Sequence, residues 1–273
     1  MLRLFLFLVI LTGILLGVGF LIGGIVGMTF ALIFAFFINF LSYWYSDRIV
    51  LSIYNACPLD NKELENMVER LAREAKIAKP KLYIIDSEVP NAFATGRDDK
   101  HAVIAITRGL MRLEKNEIEG VLSHEISHIK NKDILISTIA AVIAGAISYL
   151  AQIGYWSLFL SDERRSEASI IGLFFIIIFA PLAAMLLRMA ISRNREYLAD
   201  YTGAILTKKP QYLASALRKI HTMAMHYPMR GNVATAHMWI VNPFKGDWFT
   251  ALFSTHPPIE RRIERLENMA HPE

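Results

Sequence analysis

The chain has 273 residues, 54% of them hydrophobic and 20% charged, with a formal net charge of +4. That is too apolar for an ordinary soluble domain and too charged for a chain buried wholly in lipid. The hydrophobicity excludes disorder, and a single cysteine, Cys57, excludes a disulfide scaffold.

The apolar residues are not spread evenly. Leu4 to Tyr45 is a run of 42 residues without a formal charge. A spanning helix needs about 20 apolar residues, so this run is long enough for two. Gly19, Gly23 and Gly24 are candidate turn positions between them. A cleaved signal peptide has an apolar core of about 7–15 residues, and this run is far longer.

The polar sequence that follows has helical spacing over 60–79, with Leu64, Met67, Val68, Leu71 and Ala75 on one face. Asp60 is the expected N-cap, with Glu63 three residues on, and Pro80 marks the end. KLYIID at 81–86, VPNAFATG at 89–96 and HAVIAIT at 101–107 read as strands. The turn chemistry of GRDDK at 96–100 makes 89–107 a hairpin. A helical period returns from Glu114 to Lys132.

Ile134–Leu160 and Ser169–Leu187 are two further charge-free runs, of 27 and 19 residues. They are the expected third and fourth spans. Beyond them the chain reads as a helix over 211–226, an irregular stretch over 227–258 and a charged helix over 259–270. The aromatic-rich part, 237–253, is open to two readings: a contact with the membrane interface, or a loop packed on the core.

Lysine and arginine set the orientation. Residues 47–133 carry 14 of them and 188–273 carry 12, whereas the loop 161–168 carries two arginines against three acids. The positive-inside pattern puts both polar blocks in the cytoplasm. A reducing cytosol also suits the unpaired Cys57. The same pattern accounts for the basic excess, so no nucleic-acid partner is expected.

His124-Glu125-Ile126-Ser127-His128 is an HExxH sequence. Residues four apart on a helix lie on one face, so two imidazoles can grip one ion. Glu125, rotated by about 100°, can reach water beside the metal. Zinc suits such a donor set, and a catalytic zinc needs a third protein ligand and an open position. The candidates lie in Arg195-Glu196-Tyr197-Leu198-Ala199-Asp200, where Glu196 and Asp200 share a helix face. One can ligate, and the other can hold the outer nitrogen of a ligating histidine.

His128 lies shortly before the expected third span and Glu196 shortly after the fourth. If both helices continue unbroken, the site stands roughly 9–14 Å from each membrane entry. Glu114, Lys115, Glu117, Glu119, Lys130, Lys132 and Asp133 flank HExxH, too many charges for a motif inside lipid.

With these features the sequence resembles the HtpX proteases, membrane zinc metalloproteases of the gluzincin-type HExxH family that also includes the CAAX prenyl proteases. The resemblance covers essentially the whole chain. It is carried by the paired N-terminal apolar runs, NAFATG at 91–96, HEISH at 124–128, the two later runs, REYLAD at 195–200 and STHPPIERR at 254–262. It implies an α-helical membrane protein with a mainly α zincin-like protease domain carrying a small β-hairpin or sheet (α+β). The implied plan is two transmembrane helices in 1–46 and the first part of a cytoplasmic protease domain in 47–133. Two more transmembrane helices fill 134–190, and the second part of the domain fills 191–273.

The resemblance further implies one zinc ion per chain, held by His124, His128 and Glu196, with Glu125 as general base and Asp200 behind a ligand. Asn91, Ala92, Phe93 and Ala94 match an edge strand that pairs with extended substrates. His256 is expected at the cleft, either stabilising the tetrahedral intermediate or occupying the open metal position in a resting state. The implied role is hydrolysis of misfolded or damaged membrane proteins at the cytoplasmic face of the plasma membrane, with the lipid bilayer and polypeptide substrates as partners. The rival readings are a CAAX-type processing protease and a zinc-stabilised scaffold or chaperone without proteolysis. An intact Glu125 argues against the scaffold. Four expected spans rather than more argue against the CAAX type.

Overall fold

The computed structural model describes residues 2–140, 193–229, 233–244 and 256–270. It is mainly helical with one small mixed sheet.

Helix α1 covers Leu2–Ile53, running on past residue 46. Its backbone leaves helical geometry at Gly23 and Gly24, and Gly24 takes φ +58. Two of the three expected turn glycines therefore break the helix into two arms. Between them and Tyr45 the surface is strongly apolar, with Phe30, Phe34, Phe36, Phe37, Phe40 and Trp44 all exposed. Among the described residues, no helix is long and apolar enough to cross a membrane. The expected third and fourth spans lie outside the described residues except for 134–140.

The last turn of α1 enters the protein core, where Val50 and Leu51 pack with Ile85, Phe93 and Trp239. A two-residue strand, β1 (Cys57–Pro58), follows. Helix α2 then spans Lys62–Ala75 and buries Leu64, Met67, Val68, Leu71 and Ala75, the face read from the sequence. Its cap differs from expectation. Asn61, not Asp60, accepts from the Leu64 N–H at 3.1 Å. The helix also stops before Pro80, because Lys76 turns left-handed and closes the C-terminus onto the Ala72 and Arg73 carbonyls.

Strands β2 (Lys81–Ile85), β3 (Ala92–Thr95) and β4 (Val103–Thr107) complete a sheet of order β1-β2-β4-β3. β3 and β4 form the expected hairpin, while β2 and β4 pair in parallel. β3 is an edge strand. Every residue of β4 is buried, so this central strand reads as an unbroken apolar run. Alternate side chains serve two cores: Ile104 and Ile106 face the helices, whereas Val103 and Ala105 face α1 and Trp239.

Helix α3 (Lys115–Lys130) is the centre of the helical layer and opens with a capping box between Glu114 and Glu117. It packs on β3 and on α2, α4 (Arg193–Thr207) and α5 (Pro210–His226). The last helix, α6 (Ile259–Ala270), packs on α4 and α5. Two glycines set the spacing. A Cβ on Gly120 would meet the Leu213 backbone nitrogen at 2.6 Å, and one on Gly203 would meet Ser123 Oγ at 3.0 Å.

α3 does not continue into the expected third span. It ends at Lys130, Lys132 takes φ +59, and a new helical stretch starts beyond Asp133. The unbroken helix assumed in the sequence-based distance is thus replaced by a turn, because the Asn131-Lys132-Asp133 backbone closes back onto α3. The Lys132 N–H bonds the Ile129 carbonyl and the Asp133 N–H bonds the His128 carbonyl.

Candidate metal centre

One face of α3 carries His124 and His128, a turn apart. Their rings stand nearly perpendicular at 89°, with centroids 4.7 Å apart, and their Nε2 atoms are 3.1 Å apart. Glu196, in the first turn of α4, brings Oε1 to 3.4 Å from His128 Nε2 and Oε2 to 3.9 Å from His124 Nε2. One ligand atom from each of the three residues can be chosen so that all lie within 4.8 Å of one another. At this separation the two nitrogens either share one N–H or present both lone pairs to a cation. Ligands of a tetrahedral zinc stand about 3.3 Å apart, so the donor set fits that ion in both spacing and chemistry.

Each histidine is backed by a carboxylate. His124 Nδ1 lies 2.9 Å from Asp200 Oδ1, in an oblique approach that is not a well-formed hydrogen bond. His128 Nδ1 is hydrogen-bonded to Asp133 Oδ2 at 3.2 Å. Behind Asp200 stands Arg262 of α6, with no exposed surface. Its Nε and Nη2 donate to the two Asp200 oxygens at 2.8 and 2.7 Å, and its Nη1 donates to the Ile240 carbonyl at 2.8 Å. Nη1 also lies 3.5 Å from Glu196 Oε2. This fork-shaped contact with two acids explains how so much charge is buried.

Burial dominates the titration of the two adjacent motif residues. It lowers the His124 pKa from 6.5 to about 4, which leaves the ring neutral and able to ligate at pH 7. It raises Glu125 from 4.5 to about 7. A carboxylate balanced near neutrality is suited to taking and returning a proton. Burial would raise Glu196 also, but His256, His128 and Arg262 outweigh it and hold that carboxyl well below its ordinary range. Asp200 follows the same pattern: burial is overcome by Arg262 and His124.

The residues surround a cleft of about 40 Å³, lined by Ala94, His124, Glu125, His128, Arg195 and Glu196 among others. That is room for an ion and a few waters. His256 borders Glu196, with Nδ1 3.3 Å from Oε2 and a buried Nε2 that has no hydrogen-bond partner among the described residues. It touches the carboxylate rather than standing among the three ligand atoms.

The expected substrate strand is only partly accessible. Asn91, Ala92 and Phe93 have no exposed surface. The Asn91 side chain donates to the Val241 carbonyl, and the Ala92 carbonyl accepts from the Ile240 N–H. Phe93 lies under Trp239, with ring centroids 4.9 Å apart. The segment around Ile240 therefore already occupies the outer edge at Ala92, so Asn91, Ala92 and Phe93 do not present a free edge. Only Ala94 of the four lines the cleft. Trp239 and Phe244 are buried, which settles their part of the aromatic stretch as core; Trp248, Phe249 and Phe253 lie outside the described residues.

Asp133, Arg195 and Arg262 escaped sequence reasoning as parts of this site. Asp133 is five residues from His128, off the helix face, and only the Lys132 turn returns it. Arg262 stood within STHPPIERR, the only signal that could have marked it.

Two imidazoles and a carboxylate converging beside a buried glutamate, on paired helices under a small sheet, define a metallopeptidase of the HExxH kind. The Peptidase family M48 model matches residues 58–270. The chain belongs to that family. It is 55% identical over 267 residues to the protease HtpX homolog of Pyrococcus furiosus, covering 95% of this chain and 92% of the relative. The HtpX homolog of Pyrococcus abyssi is 56% identical over 243 residues, covering 86% and 84%. Among solved structures, Ste24p of S. mikatae matches with a TM-score of 0.52 and 20% identity, over 97% of this chain and 61% of that one. This last likeness concerns the fold.

Proposed function

We propose that this chain is a membrane-bound zinc endopeptidase that hydrolyses misfolded or damaged membrane proteins at the cytoplasmic membrane face. The observation that carries the chemistry is the convergence of His124, His128 and Glu196 around one point, with Glu125 lining the same cleft. The membrane reading is supported by the charge-free run Leu4–Tyr45 and by the basic residues of both polar blocks.

In this reading His124, His128 and Glu196 hold zinc, which when bound polarises the scissile carbonyl and eases deprotonation of water. Glu125 takes the proton from the attacking water and returns it to the leaving amine. Asp200 and Arg262 keep His124 and Glu196 facing inward. His256 sets the orientation of Glu196 from the cleft rim. An extended substrate meets β3 at Ala94, the strand residue that lines the cleft, since the edge at Ala92 is already taken.

The test is cleavage of an unfolded membrane protein by the detergent-solubilised chain, with and without chelator, beside a prenylated peptide. Glu125→Gln should retain zinc at parental affinity and lose turnover by at least about 100-fold. Parental turnover in that variant would refute the assignment. Cleavage confined to the prenylated peptide would overturn the substrate reading, and chelator-insensitive cleavage would overturn the metal.

A further inference from the structure

Asp133 stands at the turn that ends α3. The left-handed Lys132 and the bond from the Asp133 N–H to the His128 carbonyl, 2.9 Å, fold the chain back over the last turn of the helix. The Asp133 side chain, 9% exposed, then has two partners. One oxygen is 3.2 Å from His128 Nδ1, and the other accepts from Arg195 Nη1. Its own carbonyl accepts from Ser137 N–H and opens the next helical stretch.

A neutral imidazole has a single N–H. With that hydrogen donated from Nδ1 to Asp133, the Nε2 lone pair of His128 is left facing His124 and Glu196. Asp133 thus fixes both the tautomer and the ring direction that ligation needs. Of the two carboxylates behind the histidines, Asp133 makes the formed hydrogen bond and Asp200 the oblique contact. Arg195 precedes Glu196 directly and, through Asp133, ties the first turn of α4 to the end of α3. These are the two helices that supply the three ligand atoms.

We propose that Asp133 is the positioning residue for His128 and that Arg195 holds Asp133 to that task. The proposal rests on the metal reading above. It predicts a hierarchy. Removing Asp133 frees the His128 ring to rotate and to present either nitrogen. Removing the Arg195 charge leaves the Asp133–His128 bond but loosens its anchor.

The experiment uses the full chain in detergent and three readouts: zinc affinity by competition with a chromophoric chelator, the visible spectrum of the cobalt-substituted protein, and melting of the metal-free chain. Asp133→Ala should weaken zinc by about 10–100-fold, the usual cost of losing an outer-nitrogen partner, with a changed cobalt spectrum. Asp133→Asn, which still accepts from Nδ1, should lose less. Arg195→Met should follow Asp133→Asn, and Arg195→Lys should restore parental affinity. If Asp133→Ala does not fold, Asp133→Asn and its cobalt spectrum decide.

Unchanged zinc affinity and an unchanged cobalt spectrum in the Asp133 variants, with metal lost in His128→Ala, would overturn the proposal and leave the metal site standing. So would a lower melting temperature with metal binding unaffected. Parental zinc affinity in His128→Ala would instead refute the metal site itself.

Discussion

His124 and Glu125 are neighbours in sequence, and burial moves their pKa values in opposite directions. In the metal-free chain this has a measurable result. Between about 4 and 6.5 the unfolded imidazole of residue 124 binds a proton that the folded one does not, so its contribution to stability is lost as pH falls through that range. Glu125 acts in reverse. Between 4.5 and about 7 the folded carboxyl binds the proton, so its contribution to stability grows as pH falls. The two shifts are of similar size and offset each other from about 6.5 to 4.5. Below 4.5 only the losses remain, from His124 and from Glu196 and Asp200, whose folded carboxyls titrate under their ordinary 4.5 and 3.8. The melting temperature of the metal-free chain should therefore stay nearly level from pH 6.5 to 4.5 and drop below that. In Glu125→Gln the drop should begin near pH 6.5. Calorimetry across that range checks it; identical profiles for the two chains would contradict the opposed pair.

Helices α3 and α4 hold the ligand set, and a glycine fixes how closely they approach. A Cβ on Gly203 would stand 3.0 Å from Ser123 Oγ and 3.1 Å from the His124 nitrogen, a fit that a small outward shift of α4 relieves. That shift separates Glu196 and Asp200 from the histidines. A Cβ on Gly120 meets backbone of α5 at 2.6 Å, away from the metal. Gly203→Ala should thus lower zinc affinity with little change in melting, and Gly120→Ala should cost about 1–3 kcal/mol of stability with smaller effect on zinc. Chelator competition and calorimetry on both variants check the contrast. The helices were legible in the sequence because their apolar period is local, and so was the hairpin, whose turn chemistry sits between two apolar runs. The parallel pairing of β2 with β4 was not, since register between distant strands leaves no local mark. Cys57–Pro58 is too short to show a period. The break after Lys130 was hidden because Asn131, Lys132 and Asp133 read equally as the polar end of a longer helix. The motif histidines were legible from their spacing alone. Asp133 was not, because its place depends on a positive φ that no periodicity records.

For the whole molecule the proposed membrane reading raises one question first: which side the polar blocks would occupy. Cys57 answers it directly, as the chain's only cysteine and an exposed one. A membrane-impermeant maleimide should label it in inverted vesicles and leave it unlabelled in intact cells. Labelling in intact cells would reverse the proposed orientation. α1 then acquires a mechanical meaning. It passes from its apolar arm straight into the core, where Val50 and Leu51 are fixed against Phe93 and Trp239. Were the charge-free run in lipid, as proposed, the helical stretch from Asp47 to Ile53 would be a stiff strut of about 10 Å at 1.5 Å per residue. The protease would ride at a set height, like a blade on a fixed stand. An extended chain rises about 3.3 Å per residue, so a loop must give up several residues merely to climb that far. Tight turns between spans would stay below the blade however damaged the protein that carries them, and loop length would become a criterion of selection.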